Sequence, residues 1–167
     1  MLKQFSIVEK KLLASFGKIH QRPISSINCY DDKYILISDR FGYLKQLEVS
    51  TKKYVKDYGK VGKNIVTSIT ACYSSPSKKN YIFIGDIKGS LKKFCISKKK
   101  LEKDYGSIMG GSVDSSITSM VCNGDSLLLA DSEGRLKQFN IKRGILVKDY
   151  GVVIGNGISC LALENNL

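Results

Sequence analysis

Apolar and polar side chains alternate over short runs along this chain, and small or turn-forming residues separate the runs. The runs Tyr-Ile-Leu-Ile at 34–37 and Tyr-Leu-Lys-Gln-Leu at 43–47 are examples, with a turn signal between them. Short runs with a period of two are typical of β-strands, and no segment has the period of an amphipathic helix. The two prolines, Pro23 and Pro76, fall at a strand start or in a loop. The pattern predicts an all-β fold.

The runs belong to a repeat. The marker Leu-Lys-Gln-Phe at 2–5 returns at intervals of 42, 47 and 45 residues, in variant form at 44–47 and 91–94 and unchanged at 136–139. A second marker, Lys-Asp-Tyr-Gly, is found at 56–59, 103–106 and 148–151, and Ala-Ser-Phe-Gly at 14–17 is a weaker first copy. In all four copies the last residue of the first marker precedes the aromatic residue of the second by 11 positions. A fixed offset inside a varying period indicates a repeated structural unit.

A third marker, Asp-x-x-Gly at 39–42, 86–89 and 131–134, lies between two strand-like runs. Aspartate at the first position and glycine at the fourth favour a type I turn, because the carboxylate accepts hydrogen bonds from the backbone of the turn. Each repeat therefore contains four strands. Strand one is predicted at 24–29, 66–72, 117–122 and 158–163, and strand two at 34–38, 81–85 and 127–130. Strand three carries the first marker, strand four ends at the second, and 74–80 is predicted to be a loop insertion.

The repeat resembles the WD40 family over almost the whole chain. Leu47, Phe94 and Phe139 occupy the place of that family's strand-ending tryptophan, and His20 occupies the place of its Gly-His histidine once. The family's His–Ser–Asp–Trp hydrogen-bonded network is absent from every complete repeat, and quinoprotein-like repeats are a related alternative. The resemblance implies a WD40-like β-propeller, or a propeller fragment, with four-stranded antiparallel blades.

The resemblance implies a single β-propeller domain over residues 1–167, which is either a partial propeller or a small one. Its blades are expected at about 24–58, 66–105 and 117–150, and its part-blades at 1–20 and 157–167. The two part-blades join to close a small four-bladed ring, or the chain is a piece of a larger propeller. A piece would expose blade faces that normally bury apolar side chains, and it would then self-associate.

Charge and composition narrow the cellular setting. Lysine and arginine number 27 against 15 acidic residues, a net charge of +12, and 43% of the residues are hydrophobic. The apolar runs are too short to span a bilayer, and no basic-then-apolar signal-peptide pattern opens the chain. We therefore expect an intracellular protein without a membrane span, cytoplasmic or, as the alternative, nuclear.

The sequence predicts no catalytic, cofactor or metal site, and therefore no enzyme. There is one histidine, His20, for which we expect a structural hydrogen bond. An odd number of cysteines, five, favours free thiols, and no Cys-x-x-Cys pair indicates zinc. Cys29, Cys72 and Cys122 lie near the end of strand one and are expected to pack. Neither a nucleophile motif nor a phosphate-binding loop is present.

Basic residues recur in phase with the repeat. The predicted basic rim lies in the loops between strands three and four and consists of Lys52, Lys53, Lys98, Lys99, Lys100, Lys142 and Arg143, preceded by Lys10 and Lys11. Strand three adds Lys45, Lys92 and Lys137, and strand four adds Lys56, Lys103 and Lys148. Protection of exposed strand edges is one explanation of this rim. An acidic protein partner, RNA and an anionic membrane surface are the others.

Taken with the resemblance, these features imply a non-catalytic scaffold that mediates protein–protein interaction through loops on one face. The candidate partner-contact residues are Arg40, Phe41, Lys60, Lys63, Lys88, Met109 and Glu133. The alternative is a basic RNA-binding propeller that acts through the rim.

Tyr58, Tyr105 and Tyr150 recur at one position, each followed by glycine. A bulky residue at a fixed place in a stacked repeat favours packing between units, so we expect these rings to be mostly buried. Exposed rings would instead be candidates for ligand contact.

Overall fold

The computed structural model describes residues 1–29, 33–74, 79–110 and 115–163, and none of these residues is helical. Fourteen strands cover most of the described chain. They are β1 (Leu2–Ser6), β2 (Lys11–Gly17), β3 (Ile24–Cys29), β4 (Tyr34–Asp39), β5 (Tyr43–Glu48), β6 (Tyr54–Lys60), β7 (Val66–Ser74), β8 (Lys79–Asp86), β9 (Ser90–Cys95), β10 (Lys100–Ser107), β11 (Ile117–Asn123), β12 (Ser126–Asp131), β13 (Arg135–Asn140) and β14 (Ile145–Val152). The predicted all-β class is confirmed.

The strands form three four-stranded antiparallel sheets and one hairpin. Sheet I consists of β3 to β6, sheet II of β7 to β10 and sheet III of β11 to β14, each in sequence order. The N-terminal hairpin pairs β1 with β2. The expected four-stranded antiparallel architecture is therefore confirmed, whereas the propeller class and its domain limits stay predictions. The predicted loop insertion is shorter than 74–80, because β7 extends to Ser74 and β8 begins at Lys79.

The Asp-x-x-Gly turns have the predicted chemistry in all three sheets. In sheet II, Oδ1 of Asp86 accepts hydrogen bonds from the backbone N–H groups of Lys88 and Ser90, both at 3.0 Å. The N–H of Gly89 donates to the carbonyl oxygen of Asp86, and Gly89 has a φ of +68°. Glycine adopts this left-handed conformation without the steric cost that a side chain imposes. Asp39 and Asp131 hold the other two turns in the same way.

Neighbouring sheets are joined along their first strands. The hydroxyl of Ser26 in β3 accepts a hydrogen bond from the backbone N–H of Ile69 in β7 at 3.1 Å. The hydroxyl of Thr67 in β7 donates to the carbonyl oxygen of Ile117 in β11 at 2.5 Å. Side-chain hydroxyls thus link strands that share no backbone ladder, which places the three sheets side by side in chain order.

Two apolar cores fill the spaces between the sheets. The core between sheets I and II includes Leu44, Ile82 and Phe94, and that between sheets II and III includes Leu91, Leu127 and Phe139. All six side chains are nearly inaccessible to solvent. Burial of these side chains between sheets provides the main favourable free energy of the array.

The two ends of the array are less complete. Within the described residues, β1 pairs with β2 alone, and 157–163 form no strand. The predicted strand at 158–163 is therefore wrong. Its residues lie beside β11, where the hydroxyl of Ser119 accepts a hydrogen bond from the N–H of Leu161 at 2.9 Å, but they lack a ladder partner. Residues 164–167 of the predicted part-blade lie outside the described residues.

The cysteines differ from the expectation of free thiols. Cys72 and Cys122 form a disulfide that joins β7 to β11, with 5.8 Å between their Cα atoms. Cys95 is a buried free thiol, whereas Cys29 and Cys160 are exposed free thiols. The prediction that Cys29 packs in the core is therefore wrong, because its side chain lies on the open face of sheet I.

Candidate functional site

The lysines of the third strands do not belong to an exposed rim. In each sheet this lysine faces the aspartate of the fourth strand, as in the pairs Lys45–Asp57 at 3.9 Å, Lys92–Asp104 at 3.9 Å and Lys137–Asp149 at 2.9 Å. Register explains the pairing, since these residues lie opposite or nearly opposite one another across the third and fourth strands. Lys92 and Lys137 are also buried. The charge of each strand-three lysine is balanced by an aspartate of its own sheet. The prediction that these lysines contribute to an exposed basic rim is therefore wrong.

Lys92 joins the fourth strand to the turn as well. Its Nζ donates to Oδ2 of the buried Asp86 at 2.9 Å, and Nδ2 of Asn64 donates to the same oxygen at 2.9 Å. Burial on its own would raise the pKa of Asp86, but the hydrogen bonds from Lys92 and Asn64 outweigh it and hold the pKa below the ordinary value. Similarly, the hydrogen bond from Lys137 lowers the pKa of Asp149.

The lysines of the fourth strands lie over aromatic rings. Nζ of Lys56, Lys103 and Lys148 is 5.1, 5.0 and 4.5 Å from the ring centroids of Tyr58, Tyr105 and Tyr150. Residues two apart in a strand project on the same face, so Lys-x-Tyr brings a cation over a ring in every sheet.

The repeated tyrosines are only partly as predicted. Tyr58 and Tyr105 are half-buried, and each meets the ring of the next sheet edge-on: Tyr58 meets Phe94 with centroids 5.8 Å apart, and Tyr105 meets Phe139. Tyr150 is exposed, because no further sheet of the described chain covers it. Burial raises the pKa of Tyr105.

The loop lysines of the predicted rim are exposed, as is Arg143. Among the described residues three of these lysines form ion pairs: Lys98 with Glu102 at 3.6 Å, Lys142 with Asp125 at 2.6 Å, and Lys11, which precedes the rim, with Glu9 at 3.0 Å. Lys52 and Lys99 have positive φ angles of 57° and 51° at equivalent places in their hairpins.

A groove of about 430 Å³ lies between sheets I and II. Its walls are β6 with the following loop on one side and β9 with β10 on the other. The rings of Tyr58 and Phe94, together with Val61 and Leu101, line its apolar part. Leu101 pairs with Phe94 across β9 and β10, so the two side chains share the face that looks toward sheet I.

Four exposed or half-exposed lysines surround this apolar part: Lys60, Lys63, Lys99 and Lys100. Within the described part of the chain, no carboxylate forms an ion pair with any of the four. Asp104 also lines the groove, but its carboxylate accepts from the N–H of Gly106 and lies near Lys92. The groove therefore carries an excess of positive charge that the fold leaves unbalanced.

This groove unites members of both predicted sets. Lys60 and Lys63 come from the candidate partner-contact residues, and Lys99 and Lys100 from the basic rim. The apolar residues Val61 and Leu101 were not predicted. The sequence does hold information about Leu101. The fixed offset between the two markers sets the register of β9 against β10, and that register places Leu101 opposite Phe94.

The other candidate partner-contact residues are dispersed. Arg40 and Lys88 are exposed in their turns, and Phe41 is 50% exposed with the guanidinium of Arg22 over its ring at 4.3 Å. Glu133 is half-buried and pairs with Arg135. Met109 is fully buried in the core between sheets II and III, so the prediction that it contacts a partner is wrong.

His20 has the expected structural partner. Its Nδ1 lies 3.3 Å from Oδ2 of Asp39, and both side chains are buried. They line a polar pocket of about 300 Å³ with Arg22, Tyr43 and Lys45. Nε2 of His20 has no hydrogen-bond partner among the described residues.

The described residues contain no group of three or more histidine, cysteine, aspartate or glutamate side chains arranged to hold a metal ion. Nor does this part of the chain contain a helix long and apolar enough to cross a membrane.

No family model matches the chain, and no curated protein matches it. Solved structures do resemble it. The crystal structure of the computationally designed Ika4 protein is similar with a TM-score of 0.64 and 18% identity, over 89% of this chain and 84% of that one. The computationally designed Ika8 protein gives a TM-score of 0.63 and 16% identity over 88% of this chain, which spans 42% of that protein. At this level of identity the similarity concerns the fold alone.

Proposed function

We propose that this protein is a non-catalytic interaction module of the WD40-like β-propeller type, and that the groove between sheets I and II binds an acidic segment of a protein partner. The observation that carries the proposal is that one groove combines an apolar floor with four lysines that form no ion pair with any of the described residues. The repeated four-stranded sheets, joined along their first strands, support the propeller assignment.

An acidic segment with apolar side chains matches both parts of the groove. Its carboxylates would lie near Lys60, Lys63, Lys99 and Lys100, and an apolar side chain would contact Tyr58, Phe94 and Leu101. Charge complementarity increases association rate and specificity, whereas desolvated apolar contacts supply most of the affinity. The backbone at Lys60, Lys99 and Lys100 belongs to strands or to a hairpin turn, so on binding the lysine side chains are ordered rather than the backbone that carries them.

An acidic protein segment is favoured over RNA because the aromatic faces are already engaged. Single-stranded nucleic acid binds through bases that stack on free aromatic rings. Tyr58 is covered by Lys56 on one side and meets Phe94 on another, and its hydroxyl donates to Oε1 of Gln46 at 2.6 Å. A base that stacked on this ring would have to displace Lys56 or Phe94, whereas an apolar side chain can contact the ring edge without displacing either.

The test uses a fluorescein-labelled peptide of alternating glutamate and leucine, measured by fluorescence anisotropy. Lys60→Glu combined with Lys100→Glu should weaken binding at least about tenfold, because both lysines line the groove. The matched control is Lys52→Glu with Lys53→Glu, which makes the same change of net charge outside this groove. It should weaken binding less than about threefold, since salt screens distant surface charges.

An equal loss of affinity in the two double variants would contradict the groove as the binding site, because it would mean that net charge alone attracts the peptide. An analogue with glutamine in place of glutamate should bind weakly. An oligouridylate that binds more tightly than the peptide, with a steep dependence on salt, would replace the proposal with RNA binding.

A further inference from the structure

One contact recurs between successive sheets. The strand-four tyrosine of one sheet packs against the strand-three phenylalanine of the next, as Tyr58 does with Phe94 and Tyr105 with Phe139. Phe94 and Phe139 are 3% and 2% exposed, within the cores between the sheets. Each sheet therefore presents a tyrosine on one side and a strand-three apolar residue on the other.

The two ends of the array hold unmatched halves of this contact. Phe5, the strand-three residue of the N-terminal hairpin, is 60% exposed, and Tyr150, the strand-four residue of sheet III, is 41% exposed. The two rings belong to the same repeat positions as Phe139 and Tyr105. The exposed apolar surface continues on both sides, with Leu12 opposite Phe5 and with Val152 near Tyr150.

We propose that two copies of this chain associate head to tail, with Tyr150 of one copy packed against Phe5 of the other. The contact would continue the sheet-to-sheet interface that the chain already forms internally, with the same residue types in the same order. Each copy offers both halves of the contact. Two copies satisfy both ends when a two-fold axis relates them, because the contact between Tyr150 and Phe5 then occurs twice.

The polar surroundings of Tyr150 are compatible with this contact. Lys148 lies over its ring, and its hydroxyl donates to Oε1 of Gln138 at 3.2 Å. In the internal contact Lys103 lies over Tyr105 in the same way, while Tyr105 meets Phe139. The lysine therefore leaves the edge of the tyrosine free for a neighbouring ring.

The absence of tryptophan from the chain gives a direct test. Phe5→Trp introduces a single tryptophan at the proposed contact. Its emission should move to shorter wavelength as the protein concentration rises from micromolar to hundreds of micromolar, because the indole leaves water when copies associate. Sedimentation velocity of the unmodified chain should show a monomer converting to a dimer over the same range.

Tyr150→Ala in the Phe5→Trp background should raise the midpoint concentration at least about tenfold, as expected for loss of a central aromatic contact. The control is Phe41→Ala, which removes an aromatic ring of similar exposure from a turn of sheet I and should leave the midpoint unchanged.

Three results would overturn the proposal. Emission at long wavelength at every concentration, with a monomer by sedimentation, would mean that the ends stay exposed. Emission at short wavelength at every concentration, again with a monomer, would mean that the hairpin closes against its own chain. A midpoint that Tyr150→Ala does not move would place the interface elsewhere. The groove between sheets I and II takes no part in this contact, so Lys60→Glu with Lys100→Glu should not change the midpoint.

Discussion

The ring of Tyr105 meets the ring of Phe139 edge-on, with centroids 4.8 Å apart and planes at 76°. Tyr105 belongs to sheet II and Phe139 to sheet III, so this aromatic contact packs one repeat against the next. Tyr105→Ala should lower the free energy of unfolding by about 2 kcal/mol, less than the roughly 3–5 kcal/mol for a fully buried aromatic, because the ring is half-buried.

The control for this change is Tyr150→Ala, which removes the equivalent ring where no described sheet covers it. In urea unfolding at low protein concentration it should cost less than about 1 kcal/mol, as for most surface changes. Tyr105→Phe should be nearly neutral. Similar losses for Tyr105→Ala and Tyr150→Ala would show that the contact between the rings contributes little.

Gly89 and Gly106 allow conformational strain to be separated from crowding. Their φ angles are +68° and +70°, but an added Cβ would lie 2.5 Å from the carbonyl oxygen of Ser115 at Gly89, whereas it would meet no atom within 4 Å at Gly106. Gly89→Ala should therefore be more destabilising than Gly106→Ala by at least about 2 kcal/mol, the cost of overpacking against backbone. The comparison is made on the thermal unfolding midpoints of the two variants. Equal decreases in the midpoint would mean that the close approach of Gly89 to Ser115 does not affect stability.

Acid should weaken the turn of sheet II. The pKa of Asp86 lies below its ordinary value of 3.8 in the folded chain, so its contribution to stability is complete above the unfolded pKa. That contribution is lost as the pH falls through the folded pKa. Lys92→Met should cost about 3 kcal/mol at pH 7, because Asp86 would remain buried without its cation.

As the pH falls below neutral, the difference between the wild-type chain and Lys92→Met should shrink, because Asp86 without its cation takes up a proton first and protonated Asp86 no longer requires the lysine. Urea midpoints across this range measure the effect. Lys98→Met, an exposed lysine, is the control and should change little at any pH. A difference that stays constant with pH would mean that Lys92 acts through packing alone.

Lys99 occupies a backbone conformation that suits glycine. Its φ is 51°, and the equivalent residue of sheet III is Gly144, with a φ of 67°. Lys99→Gly should stabilise the chain by about 0.5–1 kcal/mol, because the side chain no longer strains the left-handed backbone. Lys98→Gly, beside it without a positive φ, should destabilise. If the groove binds an acidic segment, Lys99→Gly will also weaken peptide binding, so stability and affinity will change in opposite directions.

The disulfide between Cys72 and Cys122 closes a segment with a sequence separation of 50. A loop of this length corresponds to about 4 kcal/mol of stabilisation by restriction of the unfolded chain. Reductant should therefore lower the urea midpoint of the wild-type chain. The Cys72→Ser and Cys122→Ser double variant should show no response to reductant, and a response equal to that of the wild-type chain would contradict the bond.

Local signals predicted the local structure well. The turn aspartates Asp39, Asp86 and Asp131 could be assigned because their hydrogen bonds reach only two and four residues along the chain. The burial of Lys92 was missed because it depends on a partner in the adjacent strand and on one in the turn. The fixed offset between the markers is consistent with a pairing of each strand-three lysine with a strand-four aspartate. The pairing can be read from the offset only once the register of the two strands is known.

Non-local features were harder to predict. Met109 lies in a connection between sheets, where a sequence gives no period from which burial can be inferred. Cys72 and Cys122 differ by one position within their repeats, and only the sideways placement of β7 against β11 brings them together. The groove likewise depends on how sheets I and II lie against each other, which the repeat pattern implies without specifying which lysines lack a carboxylate.

The side-by-side order of the sheets determines which parts of the molecule unfold first. Sheet II is covered by sheet I on one side and sheet III on the other, whereas the hairpin and sheet III lie at the ends of the array, and every residue of the outer strand β14 is exposed. In such a one-dimensional array, local unfolding begins at the ends and advances inward, since each unit is stabilised mainly by its neighbours. Backbone amides of β8 should therefore exchange with solvent most slowly, and those of β1 and β14 first.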